Sequence, residues 1–292
     1  MNRLTVVLLI LLCGAIIVCP GCKAPENKIT IAFVPSVESQ TIIEQLAAFD
    51  ADLSARLGTK VKSDVMPNYA ACVEAMGTGQ VDVAFLPPMA YVLGHSRYGI
   101  DVLLKVERKG KTVYRGEIIV RNDSGINTIE DLEGKKIAFV EASSASGHLY
   151  AKALLREHGI DVDKEKDAVL FTGSHPSVVQ AVLQGTVDAG ACYEDARDQV
   201  KDIAPGVMEE TKIIAYTADI PADTVSVRRE VPSELRGRIA EALKEMATGK
   251  EGVLYAIYQI EKLHDATDAD YEPLREVGKT LGIDFAEYVD KK

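Results

Sequence analysis

Apolar positions in this chain come in short continuous runs and in helical stripes, and the two alternate with little sequence between them. Ile29–Val34 reads as a buried strand, and Thr41–Leu57 as an amphipathic helix closed by Gly58. Val61–Val65 is a second strand, Ala70–Met76 a short helix and Val81–Leu86 a third strand. Pro87-Pro88 breaks the chain before a helical stretch, Met89–Arg97. Val102–Val106 and Val113–Val120 predict a strand pair around Lys109-Gly110-Lys111. At Arg121–Gly125 the composition turns to Asn-Asp-Ser-Gly, and a second series begins. It runs through a helix at Thr128–Leu132, a strand at Lys136–Val140 and a helical pattern from Leu149 to His158, stopped by Gly159. Ala168–Phe171, Pro176–Leu183, Val187–Cys192 and a helix at Asp195–Ile203 follow. Ile213–Thr217 and Thr224–Val227 are strands able to lead back, and Ser233–Tyr288 is almost wholly helical in pattern. Such alternation predicts mostly parallel sheets covered by helices, an α/β architecture.

The two series share an internal echo. Val73-Glu74-Ala75-Met76-Gly77-Thr78-Gly79-Gln80-Val81-Asp82-Val83-Ala84 resembles Val179-Gln180-Ala181-Val182-Leu183-Gln184-Gly185-Thr186-Val187-Asp188-Ala189-Gly190. In each, a helix ends, glycine turns the chain and Val-Asp opens a strand. Two lobes of similar build fit this: residues 29–120 with 224–292 in the first, and residues 121–223 in the second. The expected crossings lie near Val120–Asp123 and Ala222–Arg228. Ligands of open α/β sheets collect beyond the carboxyl ends of the strands, and in two lobes those ends can face each other across a cleft.

The N-terminus changes the picture of where such a protein works. Leu4–Val18 is an apolar run, with Thr5 its one hydroxyl residue, after Asn2 and Arg3, shorter than the ~20 residues of a spanning helix. Gly21-Cys22 then fits the site at which bacterial lipoproteins are cut and lipidated, so residues 1–22 read as an export leader and 23–28 as a tether. Cys19 and Pro20 depart from the usual pattern there. With Cys13 and Cys19 lost and Cys22 carrying lipid, only Cys72 and Cys192 remain, too few for a disulfide framework or a metal site. Loss of Arg3 takes the formal charge from −11 to −12. An acidic surface argues against nucleic acid and anionic membrane as partners, though not against a small anion held by local donors. At 292 residues the chain exceeds one core of ordinary size.

Chemistry concentrates at Ser143-Ser144-Ala145-Ser146-Gly147, between a predicted strand and a predicted helix. The first N–H groups of a helix have no partner within it, and the helix dipole places partial positive charge there. Hydroxyls clustered at that end suit either a phosphate-like anion or ordinary N-capping by one serine.

Several stretches together resemble the periplasmic-type substrate-binding proteins of phosphate, phosphite and phosphonate ABC transporters. They are the Tyr69 segment, Gly79-x-Val81-Asp82-x-Ala84, Ile118–Arg121 with Ser124-Gly125-Ile126 and Asp131-Leu132-x-Gly134-Lys135, and the serine run. Gly173-Ser174-His175, Gly185-x-Val187-Asp188-Ala189 and Ile220-Pro221-Ala222-Asp223 complete the match, which covers about Lys28 to Gly282. The resemblance implies a type II two-lobed periplasmic-binding-protein fold with a helical C-terminal segment. It implies that Ser143, Ser144 and Ser146, with Gly147 in their turn, hold the oxyanion, that Tyr69 reaches it from the first lobe and that His175 reaches it from the second. Asp223 would accept from a protonated ligand oxygen or an amino group, and Asp195, or Glu194 beside it, falls where relatives with amino-bearing ligands carry a carboxylate. Ser144 stands where relatives often have Thr, and Leu86–Tyr91 is more apolar than in many phosphonate binders. Tyr91 is open between cleft wall and core.

No Lys or Arg falls within the stretches expected to hold the ligand (the Tyr69 segment, the serine run, Gly173-Ser174-His175 and Ile220–Asp223), so the anion is expected to be held by neutral donors, each bond to a charged group contributing about 1.5–3 kcal/mol. An ionised Asp223 only accepts hydrogen bonds, and so favours a protonated phosphorus oxyanion over sulfate. The expected protein is a lipid-anchored, extracytoplasmic monomer that passes its ligand to a permease with a cytoplasmic ATPase. No cofactor or metal is implied, since His95, His148, His158 and His264 lack metal-like spacing. An enzyme on the same scaffold is the alternative, but no Gly-x-Ser-x-Gly elbow accompanies Ser and His. A sensory binding protein is the other.

Overall fold

Two mixed sheets divide the strands between them in a computed structural model that describes residues 28–164 and 168–288. The leader, Cys22 and the tether through Asn27 fall outside the described residues. The first sheet runs Lys262–Asp265, Asp101–Glu107, Thr224–Val227, Val83–Leu86, Lys28–Phe33, Lys60–Val65. The second runs Thr211–Tyr216, Gly116–Arg121, Ala189–Tyr193, Ile137–Phe139, Val169–Phe171. A short antiparallel ribbon, Val113–Tyr114 against Ile220–Pro221, ties the two crossings together.

Three expectations need correction. Gly116–Arg121 sits inside the second sheet, so the first crossing precedes it at Val113–Tyr114 and residues 116–120 leave the first lobe. Adjacent strands around a Gly turn favour a hairpin, but Ile118, Ile119 and Val120 are buried with a strand paired on either side, Thr211–Tyr216 and Ala189–Tyr193. Only Arg108 and Lys111 bridge across that turn. The sheets are mixed rather than mostly parallel, because Thr224–Val227 returns antiparallel between Val83–Leu86 and Asp101–Glu107. Within the helical tail, Lys262–Asp265 is an edge strand on Asp101–Glu107.

The echo has a common device behind it. Gly79 and Gly185 turn at φ 76° and 68°, a left-handed conformation that costs glycine little. The aspartate that follows each then clamps a neighbouring strand at its start. Asp82 Oδ2 accepts the Thr30 N–H at 2.8 Å, and Asp188 Oδ2 accepts the Lys136 N–H at 2.8 Å. Each also donates its own N–H to the carbonyl of the same residue.

The first lobe is filled by aromatics, with Phe33 and Phe85 stacked at 4.8 Å and Phe49 edge-on to Phe33. Ile118, Val120, Phe139 and Leu155 fill one face of the second sheet. A further apolar cluster crosses between lobes, joining Tyr69 and Leu86 to Ala145 and Leu149. No described helix is long and apolar enough to cross a membrane.

Candidate functional site

The serine run lies where the strand Ile137–Phe139 ends. Ser144 is extended and its Oγ accepts the Gly147 N–H at 3.1 Å, the N-cap arrangement. The Leu149 N–H reaches back five residues to Ser144 O at 3.0 Å, so the turn is wide, of π type, before the helix Tyr150–Glu157 begins. Capping and anion binding are therefore compatible: Ser144 Oγ accepts from the turn while its O–H proton is left for a second acceptor. Gly147 is required by space. A Cβ there would meet Val140 Cγ2 at 2.4 Å, and the Gly147 carbonyl accepts the Val140 N–H at 3.1 Å.

The same strand end organises the next loop, since Val140 O accepts the Gly173 N–H at 2.9 Å. The helix His175–Leu183 that follows is capped by Ser174, whose Oγ accepts the Ser177 N–H at 3.3 Å. His175 is thus released from capping. Its Nδ1 accepts the Tyr193 N–H at 3.1 Å, which leaves the proton on Nε2. Burial pushes the imidazole down to about 3, so it is a neutral donor.

Tyr69 opens the helix Tyr69–Gly77 in the first lobe, capped by Asn68, and its N–H donates to Glu141 Oε2 across the lobes at 3.2 Å. Its hydroxyl is buried and has no hydrogen-bond partner among the described residues. Burial, with Glu141 nearby, holds the phenol well above its ordinary value, so it remains an O–H donor.

A cavity of about 330 Å³ lies between the lobes, and Tyr69, Ser144, Ser146, His175, Asp195 and Asp223 all line it. Glu194 lines it too, so both carboxylates of the sequence alternative face the cleft. Ser143 and Gly147 are buried outside this lining. Tyr91 is not brought to the site. It belongs to the first-lobe core, donates to Asp268 Oδ1 at 2.8 Å and meets Tyr271 edge-on at 4.8 Å.

The expectation of a cation-free site holds for the motifs and fails for the cavity. Arg108, Lys109 and Lys111 line it, contributed by the turn before the first crossing. Arg108 Nη2 lies 2.8 Å from Asp223 Oδ2, and its Nε donates to Tyr258 O at 2.7 Å. Lys109 pairs with Asp195, and Arg115 Nη2 lies 3.2 Å from Glu194. In the sequence, Lys109-Gly110-Lys111 has the pattern of a turn between strands, which gives no sign that Arg108, Lys109 and Lys111 face a cleft. Tyr114 and Tyr193 also line the cavity and carried no motif signal.

Behind Asp195, which adopts a left-handed φ of 72°, lies the buried Glu117. Its carboxyl accepts the Asp195 N–H, with Arg197 Nε at 3.7 Å and Cys192 Sγ at 3.7 Å. Burial outweighs Arg197 and pushes Glu117 up to about 7. Among the described residues no group of three or more His, Cys, Asp or Glu side chains could hold a metal.

A family model described as the periplasmic substrate-binding protein of a phosphonate ABC transporter matches residues 31–271. The chain belongs to this family. The span contains every candidate site residue except Cys22, and the phosphonate-transporter family is one of binding proteins rather than enzymes, working outside the cytoplasm. The phosphate-import protein PhnD of Mycolicibacterium smegmatis is 28% identical over 90% of this chain and 91% of its own length. Among solved structures, a binding protein of an ABC phosphonate transporter from Pseudomonas aeruginosa superposes with a TM-score of 0.78 at 21% identity, covering 86% of this chain and 85% of that one. PhnD1 of Prochlorococcus marinus, solved with methylphosphonate, gives 0.77 at 16% identity over 88% and 99%. Those structures share the two-lobed type II fold.

Proposed function

We propose that this protein captures a phosphorus oxyanion (phosphonate, phosphite or phosphate) in the interlobe cavity and delivers it unchanged to an ABC permease. The buried Tyr69 hydroxyl carries the reading: a donor sealed from water with no partner is costly unless a ligand satisfies it. Opposite it stand Ser144, Ser146 and the Nε2–H of His175, all buried and lining the same cavity. Four neutral donors converging on one space suit an oxyanion and allow release, since none supplies a full countercharge. Ser143 and Gly147 support the cradle from behind the lining.

The same reading makes the protein a monomer held at the membrane by lipid on Cys22, supported by the apolar run ending at Gly21-Cys22. Calorimetry on the soluble form with phosphate, phosphite, methylphosphonate and 2-aminoethylphosphonate tests the ligand class. Micromolar or tighter binding of at least one is expected, on the order of −8 kcal/mol. Binding of none, with binding of another solute class, overturns it. For the anchor, fatty-acid labelling should be lost in Cys22→Ala; labelling that persists refutes lipidation there.

A further inference from the structure

An acidic cleft and a basic turn meet in this molecule in a way that selects among phosphorus compounds. The carboxylates that line the cavity, Asp223, Asp195, Glu194 and Asp198, are all engaged by the chain itself, Asp198 by Lys201 at 2.6 Å. Arg108 holds Asp223 at 2.8 Å and is fixed from behind by the Tyr258 carbonyl, while Lys109 holds Asp195. Glu194 is likewise held by Arg115 at 3.2 Å. Lys111 adds a further cation to the lining with no ion-pair partner among the described residues. Each carboxylate is neutralised before any ligand enters.

We infer that Arg108 and Lys109 are specificity-determining residues that reject ammonium-bearing phosphonates and leave the cavity to oxyanions whose organic part is uncharged. This rests on the proposed phosphorus-oxyanion function. An ammonium entering the cleft must displace an internal ion pair and lie beside the displaced guanidinium or lysine. A neutral tail meets neither cost, and Val37, Val106, Val113 and Ile257 offer it apolar wall. Discrimination arises as a repulsive element, not as a stronger attraction for the favoured ligand. There is room for such a tail. A cavity of about 150 Å³ holds benzene, and this one is about 330 Å³.

The test compares n-propylphosphonate with 2-aminoethylphosphonate, which match in shape and differ in a methyl against an ammonium. Calorimetry on the full soluble chain should show n-propylphosphonate binding at least tenfold more tightly. In Lys109→Met, which frees Asp195, that ratio should fall at least tenfold. The Lys109 side chain is 65% exposed, so the variant should fold normally. Equal or tighter binding of 2-aminoethylphosphonate by the parent, or a ratio unchanged in Lys109→Met, overturns the inference. Failure of both compounds where phosphate, phosphite or methylphosphonate still binds overturns the inference alone; failure of all five overturns the proposed function, and this inference with it.

Discussion

The Tyr193 backbone N–H donates to His175 Nδ1 over 3.1 Å, and this one bond decides which proton the imidazole offers. Asparagine at 175 places an acceptor near the Nδ1 position but has no donor where Nε2–H stands. His175→Asn is therefore expected to keep most of the stability while weakening ligand binding about tenfold to a hundredfold, the worth of one hydrogen bond to a charged group. His175→Ala should lose affinity equally and also lower the melting temperature, because the Tyr193 N–H is stranded. Thermal melts beside calorimetry separate the two effects; equal stability in both variants would show that the bond does not orient the ring.

Stability should respond to pH in two opposing ways. Glu117 is raised to about 7 by burial, so its favourable contribution is complete below its unfolded value near 4.5 and is lost as pH rises through 7. His148 and His175 are lowered by burial to about 4 and about 3, so theirs is present above 6.5 and lost as pH falls toward those values. Between pH 8 and 6.5 the parent should gain melting temperature as pH falls, and Glu117→Gln should not. Parallel curves for the two proteins would contradict the assignment.

Gly147→Ala should cost about 1–3 kcal/mol, since the new methyl overlaps Val140 Cγ2 and interiors do not yield freely. Oxyanion affinity should fall with it, because the shifted turn carries Ser144 and Ser146. The double variant Val140→Ala/Gly147→Ala should recover part of both losses. Denaturant titration and calorimetry check this, and a double variant no better than Gly147→Ala alone would place the strain elsewhere.

Tyr91→Phe removes a hydroxyl that bonds Asp268 at 2.8 Å, away from the cavity. A stability loss near 1 kcal/mol is expected with unchanged ligand affinity. A change in affinity would return Tyr91 to the cleft wall.

Much of this was legible in the residues, for identifiable reasons. Strand and helix alternation, the glycine turns at Gly79 and Gly185 and the Asp clamps that follow depend on local geometry, which sequence carries directly. The serine run and His175 were visible because helix starts have characteristic side chains. Gly116–Arg121 was misplaced because a strand's partners lie far along the chain: its neighbours begin at Ala189 and Thr211, not at Asp101. Arg108 and Lys109 were passed over because a turn's basic residues look alike whether they face solvent or a cleft.

By itself the sequence determined the α/β class, the repeated turn-and-clamp unit and the family, all of them matters of local pattern. The tertiary structure decided which strands share a sheet and where the crossings fall, which put Tyr69 opposite Ser144 and moved Tyr91 into the core. It also decided that Asp223 and Asp195 meet Arg108 and Lys109. Charge pairing across a cleft depends on distances between segments more than eighty residues apart, and only the folded chain fixes those distances.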